Sequence, residues 1–166
     1  RYILELTYDH DINICQEITH KIAEADLVIF SPGSLYTSIL PHLIAPEVRE
    51  ALEATKAPLM YVSNLVTQPG ETDGYQVSDH IEVLNRYLGA RKIDIVVANE
   101  GKIEERIIKK YLTLEQKNVV ALDRDKVEAQ GAQMIAGDIF CLENEAIRHN
   151  ALKTAYLIFS YLMDNE

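Results

Sequence analysis

The segment at residues 31–38 carries residue types that anion-binding loops use. It follows a short apolar run at residues 27–30, and it contains one glycine and several hydroxyl groups. Gly33 has no Cβ, so the backbone can approach a ligand closely at this position. Hydroxyl groups, together with backbone N–H groups at the start of a helix, could cradle an anion. The hydroxyls in question belong to Ser34, Thr37 and Ser38.

The same pattern also fits a plain strand-to-helix turn in which a serine caps the helix, and both interpretations stay open at this point. Pro41 would end or kink that helix. Two catalytic motifs are excluded. A Walker A loop needs Gly-Lys-Ser/Thr, which does not follow Gly33. A nucleophile elbow needs a glycine two residues after its serine, and Tyr36 stands there instead.

A second polar segment, residues 63–74, follows the apolar run at residues 59–62 and is too long for a bare turn. Long polar loops in compact domains are usually functional. Glu71 and Asp73 could act as an acid, a base or a metal ligand. The simpler interpretation is that Glu71 is exposed to solvent and that Asp73 forms part of a turn. Side chains with donors and acceptors for ligand hydroxyls or a base edge are Asn64, Thr67 and Gln68.

The histidines do not have the spacing of a zinc site. Asp79 and His80 fall in the first turn of a predicted helix, where positioning the helix is the simpler role and catalysis the alternative. Arg148 is expected on the terminal helix, either as a surface residue or as a phosphate contact through its fork of donors. The histidines are His10, His20, His42, His80 and His149.

Four apolar runs predict strands buried on both faces of a sheet. Helical patterns lie between these runs and on either side of them. Strands that alternate with helices through short connections favour a doubly wound, mostly parallel sheet. We therefore predict one α/β domain that comprises residues 1–166. In such sheets ligands bind beyond the carboxyl ends of the strands, which is where both polar loops fall. The predicted strands are residues 27–30, 59–62, 93–98 and 119–122.

Several apolar stripes and capping signals predict the helices. Pro46 suits the first turn of one helix, which should run through Ala54. Ser78 is the expected N-cap of the next, and Gly89 its natural stop. The remaining stripes are Ile14, Ile18 and Ile22; Ile103, Ile107, Ile108 and Tyr111; and Ile147, Ala151, Ala155, Ile158 and Leu162.

Composition limits the function classes. The net charge is −10 and the pI about 4.9, so binding of nucleic acid through a basic face is not expected. Two distant cysteines and the lack of a membrane-length apolar run indicate a cytoplasmic protein with reduced thiols and no integral membrane segment. The chain opens at Arg1 on strand-like residues 2–6, so the native N-terminus is expected upstream.

Three strings of residues resemble a known family. Residues 25–41 read ADLVIFSPGSLYTSILP, residues 67–75 read TQPGETDGY and are followed by Ser-Asp-His, and residues 148–150 read Arg-His-Asn. Together they are similar to signatures of the gluconeogenesis factor family, the bacterial YvcK-like branch of the CofD-like superfamily. Members of that family begin with a strand and a Gly-Gly-Gly-Thr-Gly turn, which this sequence does not contain. The chain therefore resembles the C-terminal part of a longer CofD-like protein.

The resemblance implies a Rossmann-like fold and a regulatory protein that binds a nucleotide-sugar, UDP-N-acetylglucosamine being the expected ligand and a dinucleotide such as NAD an alternative. It also implies links to growth on gluconeogenic carbon sources, to cell shape and to partners in cell-wall synthesis, with a homo-oligomer as a further expectation. No catalytic residues and no resident metal are implied. By motif position, the ligand-binding residues are Ser31, Pro32, Gly33, Ser34, Tyr36, Thr37, Ser38, Asn64, Thr67, Gln68, Gly70, Glu71, Thr72, Tyr111 and Arg148.

Two positions depart from the family pattern: Ser31 replaces a glycine, and Asn150 replaces an acidic residue. The sister branch, 2-phospho-L-lactate transferase, has a loop closer to Gly-Pro-Ser-Asn, so the sequence resembles the non-transferase branch. Two alternatives remain. One is a phosphotransferase in which Glu71, Asp73 and Asp79 hold Mg²⁺ with the substrate's phosphates. The other is a scaffold whose ligand controls assembly.

Overall fold

A four-stranded parallel sheet organises the protein, whose computed structural model describes residues 3–165. The strands lie side by side in chain order: β1 Val28–Phe30, β2 Leu59–Val62, β3 Ile95–Asn99 and β4 Gln133–Gly137. The central register pairs Met60 with Ile95 and Val62 with Val97. All carboxyl ends therefore point to one edge of the sheet.

Seven α-helices and two π-helical segments precede, connect or follow the strands within residues 3–165. After β4 the chain forms an antiparallel hairpin, β5 Phe140–Glu143 and β6 Ala146–His149. The α-helices are α1 Gln16–Ala23, α2 Leu40–Ile44, α3 Pro46–Ala54, α4 Val77–Leu88, α5 Glu105–Lys110, α6 Arg124–Ala129 and α7 Ala151–Asp164. The π-helical segments are Leu35–Ile39, which runs into α2, and Tyr111–Glu115, which extends α5.

The two faces of the sheet are covered by separate apolar clusters, because successive strand side chains point to opposite faces. Leu59 and Tyr61 of β2 pack in the cluster that includes α2, α3, α4 and α6. Met60 and Val62 point the other way, into the cluster that includes Tyr111 and residues of α5, β6 and α7. Burial on both faces explains why β2 and β3 read as continuous apolar runs. The α/β fold with a mostly parallel sheet is as predicted.

The first three strands are confirmed, whereas the prediction of a fourth strand at residues 119–122 is wrong. This run crosses the second polar loop instead. It makes one antiparallel bridge, Val66 with Val119, and the N–H of Val120 donates to the carbonyl oxygen of Leu65 (3.0 Å). Val120 is apolar because it is buried in the first cluster. The fourth strand is β4, an edge strand whose residues are only partly buried.

The terminal stripe was predicted as one helix, and its first part is wrong. Ile147 and Arg148 lie in β6, and α7 begins only at Ala151. Asn144 (φ 49°) and Glu145 (φ 62°) form a two-residue turn with the positive φ angles that a type I′ hairpin requires. Residues 3–6 form no strand, and residue 2 lies outside the described part of the chain.

The other helix predictions are confirmed in part. Ile14 and Ile103 precede α1 and α5, and Tyr111 lies in the π-helical segment after α5. Pro46–Ala54 is a helix as predicted, and Gly89 ends α4 with φ 73°. The N-cap of α4 is Gln76 rather than Ser78, because the hydroxyl and the N–H of Ser78 both bind the carboxylate of Asp123. None of the helices within residues 3–165 is both long and apolar enough to cross a bilayer.

Candidate functional site

A cavity of about 310 Å³ lies where the two polar loops leave the carboxyl ends of β1 and β2. The side-chain amide nitrogen of Asn64 donates a hydrogen bond to the carbonyl oxygen of Gly33 (2.8 Å), so the two loops are joined at the cavity wall. Ligand sites of parallel α/β sheets lie at this edge. The lining residues are Pro32, Gly33, Ser34, Asn64, Leu65, Val66, Thr67, Gln68, Lys117, Ile147, Arg148 and His149.

Ser34 caps the helix that begins at Leu35. Its hydroxyl oxygen accepts hydrogen bonds from the N–H (3.1 Å) and the hydroxyl (2.6 Å) of Thr37. The same hydroxyl donates to a carboxylate oxygen of Glu71 (2.7 Å). The capping interpretation is thus confirmed. Because Ser34 already uses its donor on a carboxylate, an anion in the cavity would rely on other donors.

The second loop is held by buried threonines. The N–H of Thr67 donates to the carbonyl oxygen of Asn118 (2.8 Å), and its hydroxyl accepts from the N–H of Asn118 (2.9 Å). The hydroxyl of Thr72 accepts from the N–H of Gln68 (2.9 Å). Two side-chain oxygens of this loop, Oδ1 of Asn64 and Oε1 of Gln68, are buried and have no hydrogen-bond partner among the described residues. Both residues line the cavity.

The β5–β6 hairpin carries Arg148 to the cavity. Glu145 at its turn accepts hydrogen bonds from Lys110 and Arg106 of α5 (2.6 Å each), and these cations lower the pKa of Glu145 to about 2. The hydroxyl of Tyr111 accepts from the N–H of Ile147 (2.7 Å). The hairpin is therefore fixed at two positions just before Arg148.

His149 ties the hairpin to the sheet. Its Nε2 donates to the carbonyl oxygen of Ser63 (3.0 Å), directly after β2. Burial lowers the pKa of His149, so the ring is neutral near pH 7 and Nδ1 carries the lone pair. Arg148 is exposed, and its side chain has no ion pair or hydrogen bond within residues 3–165. Its guanidinium is available to an incoming anion.

The charge of the cavity wall differs from that of the protein. The chain has a net charge of −10. The residues that line the cavity nevertheless include Lys117 and Arg148 and no aspartate or glutamate. Lys117 pairs with Glu115 (2.7 Å), which offsets part of its charge, whereas Arg148 is unopposed by any described carboxylate. The wall thus presents one guanidinium without a carboxylate partner, although the Ser34 hydroxyl of the same wall binds the carboxylate of Glu71.

The structure brings together seven of the predicted site residues and places eight outside the cavity lining. Tyr36 is buried in the first apolar cluster, with its hydroxyl 3.1 Å from that of Tyr75, and burial raises its pKa. Ser31 and Ser38 line a neighbouring apolar cavity of about 340 Å³. Residues in the lining are Pro32, Gly33, Ser34, Asn64, Thr67, Gln68 and Arg148; those outside it are Ser31, Tyr36, Thr37, Ser38, Gly70, Glu71, Thr72 and Tyr111.

Lys117 is a lining residue that sequence reasoning did not single out. It precedes a run that was predicted as a parallel strand, and residues before a parallel strand lie at the edge opposite the ligand. Because Val119 pairs with Val66 in an antiparallel bridge, the chain runs in the opposite direction to the predicted strand, and Lys117 lies at the cavity. His149 could have been found from its place beside Arg148 in the Arg-His-Asn string.

The three carboxylates considered as Mg²⁺ ligands are each engaged locally. Glu71 accepts from Ser34, Asp73 from the N–H of Gly70 (2.8 Å), and Asp79 from the N–H of Gln76 (2.6 Å). Within residues 3–165, no three histidine, cysteine, aspartate or glutamate side chains are grouped so that they could hold a metal ion. The metal alternative therefore has no preformed ligand set here.

Comparisons with known proteins agree with the predicted resemblance. The family described as "2-phospho-L-lactate transferase CofD" matches residues 4–140. The gluconeogenesis factor of Bacillus subtilis is 39% identical over 148 residues, which are 89% of this chain and 46% of that protein. The gluconeogenesis factor of Halalkalibacterium halodurans is 36% identical over 149 residues, covering 89% of this chain and 46% of that protein.

A solved structure extends the comparison to the fold. The crystal structure of a UPF0052 family protein from Bacillus halodurans has a TM-score of 0.81 and 33% identity, and the match covers 86% of this chain and 46% of that one. This chain spans less than half the length of these relatives.

Proposed function

Because this chain belongs to the CofD family, with relatives named gluconeogenesis factor, we propose that its cavity binds the diphosphate part of a nucleotide-sugar such as UDP-N-acetylglucosamine. In this proposal the protein is a regulator in the bacterial cytoplasm. Occupancy of the cavity would inform the cell about its supply of cell-wall precursor during growth on gluconeogenic carbon sources.

One observation carries the proposal: the unpaired guanidinium of Arg148 in the lining of the cavity. Arg148 has no described partner, and the fork of its guanidinium matches two phosphate oxygens. Charge-assisted hydrogen bonds of this kind are the strong ones. A neutral ligand would gain only an ordinary hydrogen bond from this cation, whereas a diphosphate would form stronger, charge-assisted bonds with it.

A second observation bears on the sugar and the base. Oδ1 of Asn64 and Oε1 of Gln68 are buried acceptors without partners, which is costly unless a donor reaches them. Sugar hydroxyls and base N–H groups are such donors. A small shift of either side chain on binding would pair these oxygens, and this would favour a hydroxyl-rich ligand over inorganic phosphate.

Calorimetric titration tests the proposal directly. UDP-N-acetylglucosamine, UDP-glucose, NAD and inorganic pyrophosphate are titrated separately into the purified chain. We expect heat from at least one UDP-sugar and weaker binding of pyrophosphate, since pyrophosphate leaves the amide oxygens unpaired. If none of the four ligands produces heat, the proposal is wrong for this chain.

A second candidate function, a phosphotransferase, is favoured by the family description, which names a transferase. It would use Mg²⁺ held chiefly by the substrate's own phosphates. Incubation of the chain with a bacterial metabolite extract, with and without Mg²⁺, distinguishes the two functions. A phosphorylated product that forms only with Mg²⁺ and enzyme supports the transferase. Binding without any such product supports the regulator.

A further inference from the structure

The C-terminal helix α7 exposes four large apolar side chains on one face. Two are aromatic, and all four are more than half accessible to solvent. Single exposed apolar residues are ordinary, but a continuous stripe of this kind marks an interaction surface. The exposed fractions are 85% for Leu152, 71% for Tyr156, 65% for Phe159 and 68% for Met163.

The opposite face of α7 also contacts apolar residues. Leu157, Ile158 and Tyr161 pack against the second apolar cluster of the sheet. None of the helix residues is fully buried, and the charged residues within the helix are Lys153 and Asp164, near its two ends. A helix that is apolar all round belongs in an interior. The exposed face therefore lacks a covering partner within residues 3–165.

The exposed stripe has the spacing of a coiled-coil seam. Its members are separated by four, three and four residues, which is the alternation of d and a positions in a heptad. The order of these spacings is the same whether the helix is followed from its N-terminus or from its C-terminus. Two copies of this helix can therefore pair antiparallel about a two-fold axis, as self-complementary interfaces require.

We propose that α7 binds α7 of a second copy of this chain in antiparallel orientation. In this arrangement Leu152 lies opposite Met163 of the second copy, and Tyr156 lies opposite Phe159 of the second copy. The aromatic residues form the centre of the interface, where buried aromatic side chains contribute most to binding. Each protomer supplies the same four side chains.

The charges of the helix fit this orientation and not the parallel one. Antiparallel pairing brings Lys153 near the carbonyl end of the second copy's helix, and it opposes the two helix dipoles favourably. Parallel pairing would put Lys153 beside Lys153 and Asp164 beside Asp164. Lys153 already binds Asp138 (2.6 Å), which fixes its position at this end.

The size of the surface is adequate for a dimer. If each of the four side chains buries on the order of 130 Å², each protomer buries about 500 Å² and the pair about 1,000 Å², the lower limit for a specific interface. A cavity of about 450 Å³ adjoins the stripe, between α7 and residues 137–139. Met163 of the second copy, a flexible side chain, would reach this cavity and enlarge the interface.

Sedimentation equilibrium of the purified chain tests the proposal. We expect a dimer at micromolar concentration, and a shift to monomer for Tyr156→Asp and for Phe159→Asp with unchanged circular dichroism. Leu114→Asp is the matched control, since Leu114 is 72% exposed and lies on the π-helical segment Tyr111–Glu115, away from α7. A monomeric wild-type chain would overturn the proposal, as would a dimer that only the control variant dissociates.

Disulfide cross-linking tests the register even if the aspartate variants fail to fold. Cys15 and Cys141 are first replaced by serine, because both are free thiols. Tyr156→Cys and Phe159→Cys are then made in separate chains. Mixing the two chains should give a disulfide-linked heterodimer, and each chain alone should cross-link several-fold less. More efficient cross-linking of each chain with itself would contradict the antiparallel register.

Discussion

The side-chain amide of Asn64 and the carbonyl oxygen of Gly33 form a 2.8 Å hydrogen bond that joins the loop after β1 to the loop after β2. This bond aligns two walls of the cavity without involving any charged group. The same two loops are also joined by the hydrogen bond from the Ser34 hydroxyl to the carboxylate of Glu71 (2.7 Å). Asn64 supplies the one of these two links that both carries no charge and involves a residue lining the cavity on each side.

Replacement of Asn64 by alanine should lower the free energy of unfolding by about 1 kcal/mol, the net value of one such hydrogen bond. Ligand affinity should fall by more than this, because the loops lose one of the two hydrogen bonds that align them and the buried amide oxygen is removed. Urea denaturation and calorimetry measure the two effects. Asn118→Ala is the control, since Asn118 contacts the loop through its main chain. Equal losses in both variants would contradict the role of the amide.

Replacement of Arg148 by alanine should weaken nucleotide-sugar binding by about 1.5–3 kcal/mol, the scale of a hydrogen bond to a charged group. The stability of the free protein should not change, since Arg148 has no described ion pair to lose. Calorimetric titration measures the affinity, and thermal unfolding checks the stability. Arg86→Ala, at an exposed arginine of α4, is the control. Unchanged affinity of the Arg148 variant would remove this residue from the site.

Replacement of Gly33 by alanine should leave the fold intact and reduce ligand affinity at least tenfold. A Cβ at Gly33 would meet the Cβ of Ser38 at 3.4 Å, a tolerable contact. Because Gly33 lines the cavity, we expect the added methyl group to limit the approach of a phosphate to the backbone. Thermal unfolding and calorimetry separate the two effects. A large loss of stability would show that the glycine serves the turn rather than the ligand.

Acidification should destabilise the protein through His80. This ring is buried between Tyr61 (centroids 6.2 Å) and Tyr75 (5.4 Å), and burial lowers its pKa, although the carbonyl oxygen of Gln76 and the charge of Asp79 oppose the shift. The unfolded state therefore binds a proton more readily. The free energy of unfolding should be highest above pH 6.5 and fall as the pH decreases toward the lowered pKa.

Urea denaturation from pH 7.5 to pH 5 measures this dependence. His80→Phe removes the titrating group and should flatten the slope, although it also loses the hydrogen bond from Nδ1 to Gln76 (2.8 Å) and lowers stability at every pH. His10→Gln, at an exposed histidine, should keep the wild-type slope. A slope that persists in the His80 variant would assign the dependence to another group, with His149 the next candidate.

Local sequence was sufficient for the centre of the sheet. The strands β2 and β3 are buried on both faces, so apolar periodicity identified them. The edge strand β4 is partly exposed and begins with Gln133, so its apolar run is only three residues long, 134–136. Residues 119–122 are apolar for a different reason, since Val120 packs in the core from a crossing segment. The pattern of apolar residues indicates that a segment is buried, but it does not indicate which part of the chain buries it.

The site, like the sheet, could be predicted only in part from local sequence. The loops after β1 and β2 could be placed at the cavity, because carboxyl ends of parallel strands share one edge. Arg148 was expected on a helix, and it arrives on a hairpin whose turn depends on Glu145 contacting Lys110 and Arg106. Lys117 arrives through an antiparallel bridge. Both depend on pairings distant in sequence, which a local pattern does not encode.

The cavity wall is assembled from segments near residues 33, 66, 117 and 148, and no single segment forms it. Any opening of the sheet dismantles the cavity, so a ligand bound there acts on the folding equilibrium of the whole chain. At a hundred times its Kd, a ligand adds about 2.7 kcal/mol by mass action. Proteolytic half-life in the cell would then rise with metabolite concentration, and the abundance of the protein would itself record the supply of its ligand.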